Sequence, residues 1–141
     1  MATDVEDKAQ TNLQTQGRMG ELIGTGQFDK LSEVLTDDFV DHDPAPDQPA
    51  GPSGIGAFWQ SFGDAFSEID IQPAQVIATE DFVTAVLSVS AKHTGTFLGH
   101  EATGKTFTVR GIQVAKFEDG KIVERWGSTD QLGILQQLGL A

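Results

Sequence analysis

A chain of 141 residues is one domain by size, and a domain near that length buries roughly 68–70% of the surface its unfolded chain exposes, enough for one core and one pocket. Lys and Arg number 9 against 21 Asp and Glu, a formal net charge of −12 that repels nucleic-acid phosphates and anionic lipid. With no cysteine there is no disulfide frame, thiolate nucleophile or cysteine-ligated metal site, and with no tyrosine proton transfer falls to His, Asp, Glu, Lys or Arg.

The amino-terminal MATDVEDKAQ has neither the basic end nor the apolar stretch of a signal peptide, and no apolar run approaches the roughly 20 residues of a membrane span, so a soluble cytoplasmic protein is expected. Val5, Ala9, Leu13, Met19, Leu22 and Ile23 form a sparse apolar stripe that predicts a first helix over 4–24, closed by Gly24 and Gly26. Phe28, Leu31, Val34 and Leu35 repeat at helical spacing and predict a second. VDHDPAPDQPAGPSG, with four prolines, then reads as a long loop. Ser53 is a candidate cap for a third helix whose stripe is Ile55, Phe58, Trp59, Phe62 and Phe66.

From Glu68 onward the period changes to two. In VTAVLSVSAKH the apolar side is Val83, Ala85, Leu87, Val89 and Ala91, with His93 in phase. KTFTVRGIQVAKF is a second long strand, joined to IVERW through EDGK, whose Asp-Gly pair favours a type I′ hairpin turn. Helices first and hairpin-linked strands afterwards predict an α+β domain spanning 1–141, with the helices over one face of a curved, mostly antiparallel sheet and a pocket between. Ser-Thr-Asp before LGILQQLG opens a short last helix.

Candidate site residues follow from these placements. Asp130 is either the cap of the last helix or a carboxylate turned into the pocket. His93 is either a core histidine bonded to backbone or a group that protonates a ligand oxygen. His42, flanked by Asp41 and Asp43, is a solvated loop residue or part of the pocket rim. Trp59 and Trp126 are expected to reach the pocket, each with an N–H that needs a partner, while Phe62, Phe66 and Phe97 can serve as core. Gln113 faces a ligand carbonyl or solvent. His100 is expected to be exposed. No H-x-x-x-H or H-x-H spacing supports a metal site. Ile112 and Val114, on the far side of their strand, suggest a sheet-to-sheet homodimer.

The order of HDP, SGIGAFWQSFGDAF, AKHTGTFLGHEATGKTF, GIQVAKFEDGKIVERW and DQLGILQQLG resembles the SnoaL-like polyketide cyclase and ester cyclase family of the nuclear transport factor 2-like superfamily, from about Phe28 to Leu138. The resemblance implies a cone-shaped barrel with three amino-terminal helices, an apolar cavity, and no metal or organic cofactor. It further implies ring closure by intramolecular aldol addition, in which a carboxylate removes a carbon-bound proton while polar groups hold the enolate oxygen. The family's catalytic aspartate, three residues before the one that opens the last helix, corresponds here to Gly127. Its partner histidine corresponds to Gln113. Two classes therefore stand: an enzyme acting on a small hydrophobic carbonyl or ester compound, with Asp130 and His93 as the proton-transfer pair and His42 and Gln113 binding, or a non-catalytic binding or carrier domain on the same barrel. An isomerase or epoxide-hydrolase relationship is weaker, because no acid occupies the matching strand faces.

Overall fold

The computed structural model describes residues 4–141. In chain order they form α1 (Asp4–Gly24), a short 3-10 helix (Phe28–Glu33), β1 (Leu35–Asp41), α2 (Pro52–Ala65), β2 (Phe66–Ala78), β3 (Phe82–His93), β4 (Thr106–Glu118), β5 (Lys121–Thr129) and α3 (Gln131–Gln137). The sheet order is β1-β5-β4-β3-β2. β2 through β5 run antiparallel, while β1 lies parallel to β5. The expected α+β architecture is present, with helices over the concave face.

Three local readings need correction. The second helix is a 3-10 turn, and Leu35–Asp41, read as helix end and loop, is an edge strand. Leu35 and Phe39 bury themselves in the core and the backbone pairs with β5, so tertiary pairing overrides the helical spacing of Val34 and Leu35. Ser53 does not cap α2: Gly51, at a positive φ of 74°, holds the cap position, Pro52 supplies the first turn, and the Ser53 hydroxyl donates to Ala50 O. The α1 stripe is also shifted. Val5 and Leu13 are exposed, whereas Asn12, 2% exposed, faces inward with Met19 and Leu22.

Asn12 shows why a polar residue occupies that core face. Its amide donates to Thr79 O at 3.1 Å and Glu80 O at 3.0 Å, while Thr15 donates to Gly120 O at 2.7 Å. Together they pin α1 to both hairpin turns and satisfy carbonyls the helix would otherwise cover. The second of those turns has Asp119 and Gly120 at φ 50° and 78°, the type I′ pattern that the Asp-Gly pair predicts.

The core divides into two clusters. The first gathers Met19, Leu22, Leu31, Leu35, Phe39, Ile55, Val83, Phe117 and Ile122 where α1, β1 and the ends of β3, β4 and β5 meet. The second gathers Phe66, Val89, Ala91, Phe107, Val109, Ile134 and Leu138 at the other end, under α3. There the stretch of β4 beyond its pairing with β5 is covered by Gln137, whose side chain accepts from Thr108 N at 2.8 Å and donates to Thr108 O at 3.0 Å, closing an edge that would otherwise invite a further strand.

Candidate functional site

The strand register determines which side chains face the cavity. Ala115 pairs with Arg125, Gln113 with Gly127 and Gly111 with Thr129, and all six share the concave face with buried Val109 and Phe117. The intervening pairs, Lys116 with Glu124 and Val114 with Trp126, point to the convex face. Arg125, Gln113 and Gly127 thus put a polar and small-residue stretch beside the first apolar cluster. A cavity opens there, walled by Met19, Phe39, Val83, Ala85 and Ile122, with Gln16, Gln113 and Arg125 as its polar groups. It leaves room for about one water molecule.

Arg125 is held as a fork. Its Nη1 pairs with Asp41 Oδ1 at 2.9 Å and its Nε donates to Gln113 Oε1 at 3.3 Å, with the Arg125 and Asp41 side chains only 19% and 8% exposed. Asp41 is held in turn by Gln48, which donates to Oδ2 at 3.0 Å, and by the backbone N–H of Asp43 on Oδ1 at 3.0 Å. The guanidinium lies over Gly127, so a Cβ at that position would collide with Nη2. A second carboxylate reaches the same residue, Asp43 Oδ2 accepting the Gly127 N–H at 2.9 Å. A cation and an acid therefore both touch Gly127, the guanidinium lying where its side chain would be and the exposed Asp43 carboxylate at its backbone N–H.

The expected site residues are not gathered together. Gln113 lies in the cavity. The register corrects the expectation that Trp126 faces the pocket: it lies on the convex face, where His42 stacks on it with ring centroids 4.7 Å apart. His42 follows from the same alternation, because Asp41 points inward, and its Nε2 donates to Glu124 at 3.0 Å. That hydrogen bond outweighs the opposing effect of burial and, with a lesser attraction to Lys116, holds the half-buried Glu124 carboxyl below its usual range. Trp59 packs edge-on against Phe58 and Phe62 and leans on the first cluster.

Asp130 is the N-cap of α3, an exposed carboxylate accepting Gly133 N–H at 2.9 Å across a residue with no side chain to obstruct it. His93 is 0% exposed beside the Phe66 and Phe97 rings. Its Nδ1 accepts Thr103 N–H at 3.1 Å, which places the ring proton on Nε2, and Nε2 has no hydrogen-bond partner. His100 is exposed, as expected. Among the described residues no group of three or more His, Cys, Asp or Glu is arranged to hold a metal ion, and no helix is long and apolar enough to cross a membrane.

The residues missed from sequence were Asp41, Asp43 and Arg125. Their signal was present as alternation: Asp41 and Asp43 flank His42 at period two, and Arg125, Gly127 and Thr129 share one face of β5.

A small-residue seam on the concave face of a helix-covered, curved sheet, with an arginine fork and a small interior cavity beside it, defines an α+β domain of the cone-shaped kind. The chain belongs to the SnoaL-like polyketide cyclase family, whose sequence model matches residues 13–138. It is 28% identical over 132 residues to the aklanonic acid methyl ester cyclase DnrD of Streptomyces peucetius, covering 92% of this chain and 91% of that protein. Among solved structures, wild-type IdmH from Streptomyces antibioticus superposes with a TM-score of 0.78 at 26% identity, covering 91% of this chain and 98% of that one. TsrD from Streptomyces laurentii shares the fold, with a TM-score of 0.82 at 23% identity over 93% of this chain and 96% of its own.

Proposed function

We propose that the protein is a cofactor-independent cyclase for a small hydrophobic carbonyl or ester compound, with Gln113 and Arg125 holding the carbonyl oxygen and Asp43 acting as the base. The observation that carries this reading is the convergence of Arg125 and Asp43 on Gly127, the position that matches the family's catalytic aspartate. In this reading the acid comes from Asp43, in the loop just beyond β1, instead of from the strand position held by Gly127. In the proposed reaction the carboxylate takes an acidic carbon-bound proton and the C–H electron pair moves into an enolate. The enolate carbon then attacks a second carbonyl of the same molecule, forming the new C–C bond, and the proton returns to the resulting alkoxide. Donors fixed in an apolar cavity favour the enolate because they need no reorganisation as its charge develops.

Admission of a ligand requires Gln16 and Met19 on α1 to swing outward. Both are long, unbranched and adaptable. Asp130 and His93 remain the alternative proton-transfer pair, against which stand the helix cap of the one and the sealed surroundings of the other. The convex face, with Val40 and Ile112 exposed beside Val114 and Trp126, supports a homodimer formed sheet to sheet.

Proton abstraction can be tested without knowing the ring product. Deuterium exchange at the acidic carbon of β-keto esters and aryl β-diketones, followed by NMR in D2O, is expected to exceed the buffer rate. It should fall by about 10²–10⁴-fold in Asp43→Asn, the range for loss of a positioned base, and persist in Asp130→Asn. Loss in Asp130→Asn with retention in Asp43→Asn would return the base to Asp130. A ligand that binds without exchange would favour a binding or carrier domain, the reading that the contracted cavity and the empty position at Gly127 support.

A further inference from the structure

We infer that the amino-terminal part of α1 is a hinged gate over the interior cavity, with Gly17 and Gly20 as its hinge and Asn12 and Thr15 as its latch. The gate rests on the reading above that a ligand enters this cavity, but it needs none of the chemistry proposed there.

α1 divides into two parts held by different forces. Its last turns put Met19 and Leu22 into the first apolar cluster, with Ile23 packed against it. The first part lies at the surface: from Asp4 to Thr11 every residue is exposed except half-buried Ala9. Polar contacts fasten it, the Asn12 amide to Thr79 O and Glu80 O at 3.1 and 3.0 Å and Thr15 to Gly120 O at 2.7 Å. Thr79 and Glu80 are themselves exposed turn residues, so water can replace these bonds when the helix lifts, whereas nothing replaces the burial of Leu22. Gly17 and Gly20 lie where the two parts meet. Neither adopts a positive φ, and a Cβ at either would meet nothing within 4 Å, so neither turn geometry nor close packing calls for glycine there. Inside a helix each glycine disfavours the helical state about four- to fivefold relative to alanine. The pair gives α1 a weak point between its latched and its anchored part.

That weak point falls on the cavity. Gln16 and Met19, on either side of Gly17, are the lining residues that α1 supplies; the others, from Phe39 to Arg125, stand on the sheet. The sheet wall is fixed by continuous pairing of β3, β4 and β5, so α1 is the wall that can move. Movement is required, because the cavity holds about one water whereas pockets for small organic ligands measure roughly 300–1,000 Å³. Releasing Asn12 and Thr15 and bending at Gly17 and Gly20 lifts Gln16 off the cavity while Leu22 stays in the core. The unbranched Met19 side chain then has room to turn aside. Arg18, between the two glycines, pairs with Glu21 at 3.1 Å and with Glu33 of the 3-10 helix at 3.3 Å, a tether on which the arm can swing without leaving.

Opening is directly measurable because the chain has no cysteine, so an introduced thiol is the sole one present. Ala85→Cys places it on the sheet wall of the cavity, and Ala91→Cys places it in the second cluster, to which α1 contributes no residue. Both are labelled with methyl methanethiosulfonate, which is small and uncharged, and global unfolding of the same chains is measured by urea titration. The Ala85→Cys thiol is expected to react at least about tenfold faster than global unfolding allows, at a rate nearly independent of low urea, as a local opening that exposes little surface requires. The Ala91→Cys thiol should react only as fast as global unfolding permits. Adding Gly17→Ala and Gly20→Ala to Ala85→Cys should raise the melting temperature and slow labelling by about twentyfold, the product of the two helix preferences. Asn12→Ala, shown to be folded by its melting curve, should speed labelling by about tenfold. The gate is overturned if the Ala85→Cys thiol reacts only through global unfolding, or if the glycine replacements or Asn12→Ala leave its rate unchanged. Deuterium exchange on a β-keto ester separates this result from the cyclase reading. Gated labelling without exchange removes only the latter, and exchange with labelling solely through global unfolding removes only the gate.

Discussion

Arg125 and His93 both set a polar head into the concave face of the sheet, one beside the first apolar cluster and the other at the edge of the second. Arg125 has Asp41 and Gln113 on two of its nitrogens and presents the third to a cavity. His93 is bonded through one nitrogen to Thr103, while the other has no hydrogen-bond partner among the described residues and the ring lies beside Phe66 and Phe97. A buried polar group with an unpaired donor is a costly arrangement; His93 Nε2 is such a group, whereas the partly exposed Arg125 is not. At Arg125 a ligand can complete the set. At His93 the unpaired N–H is tolerated because the other nitrogen satisfies the Thr103 backbone and the ring fills the cluster. Burial alone thus does not mark a functional residue; the decisive property is whether the unpaired atom opens onto space that a ligand can enter.

If the comparison is right, the largest stability effect belongs to His93. His93→Ala removes a fully buried ring and the acceptor of Thr103 N–H together, and is expected to lower the unfolding free energy by about 2–4 kcal/mol in urea titrations. The remaining folded fraction should keep its deuterium-exchange activity. If exchange disappears with His93→Ala while Arg125→Gln retains it, the roles of the two residues are reversed.

Asp41 sharpens the comparison from the other side. Asp41→Asn leaves the Arg125 guanidinium without its charged partner in a mostly buried setting, and a loss of about 1–3 kcal/mol is expected, less than for a fully enclosed pair. Ligand affinity should weaken with it, because the fork is no longer fixed over Gly127. A double-mutant cycle with Arg125→Gln should show coupling of about 0.5–3 kcal/mol; additive effects would mean that the pair is not one unit.

Asp130 provides the control that separates stability from function. Asp130→Ala removes the α3 cap and should cost about 1 kcal/mol in thermal unfolding while leaving exchange and ligand binding unchanged. An unaltered melting curve with lost exchange would instead identify it as the base.

How much of this was legible before the structure depends on whether the signal lay within one element or between two. The β3 alternation from Val83 to His93, the Asp-Gly hairpin and the α2 stripe from Ile55 to Phe62 are local, and each appears where the sequence placed it. Asp130 was legible as a choice between cap and acid, because the Ser-Thr-Asp start of a helix is a local pattern. β1 was not legible, since its three aspartates and valine owe their strand conformation to pairing with β5, some eighty residues on in the chain. With β1 misread as loop, Asp41 and Asp43 could not be assigned to one face and His42 to the other. Trp126 was misplaced for a related reason: an aromatic with an N–H suits a pocket or a convex face equally, and only the register through Val114 decides. Arg125 was overlooked because its significance comes from Gly127, an absence that acquires meaning when the neighbouring side chain is seen lying across it.

The smallest expected effect tests that two-faced reading of β1 and β5 directly. On the convex face the His42 hydrogen bond, and after it the charge of Lys116, hold the Glu124 carboxyl below its usual range. A carboxyl depressed in the folded state stabilises fully above its unfolded value, and that contribution disappears as the pH falls through the folded one. Carbon-detected NMR titration should therefore find Glu124 ionised well into the acid range. His42→Ala should move its midpoint upward toward an ordinary glutamate, and Lys116→Ala should move it less. Neither substitution should alter ligand binding at Arg125, because strand alternation puts the two ion pairs on opposite sides of one sheet. A change in the exchange rate in His42→Ala would mean that the faces communicate through β5, and the division between a binding face and a solvent or dimer face would have to be abandoned.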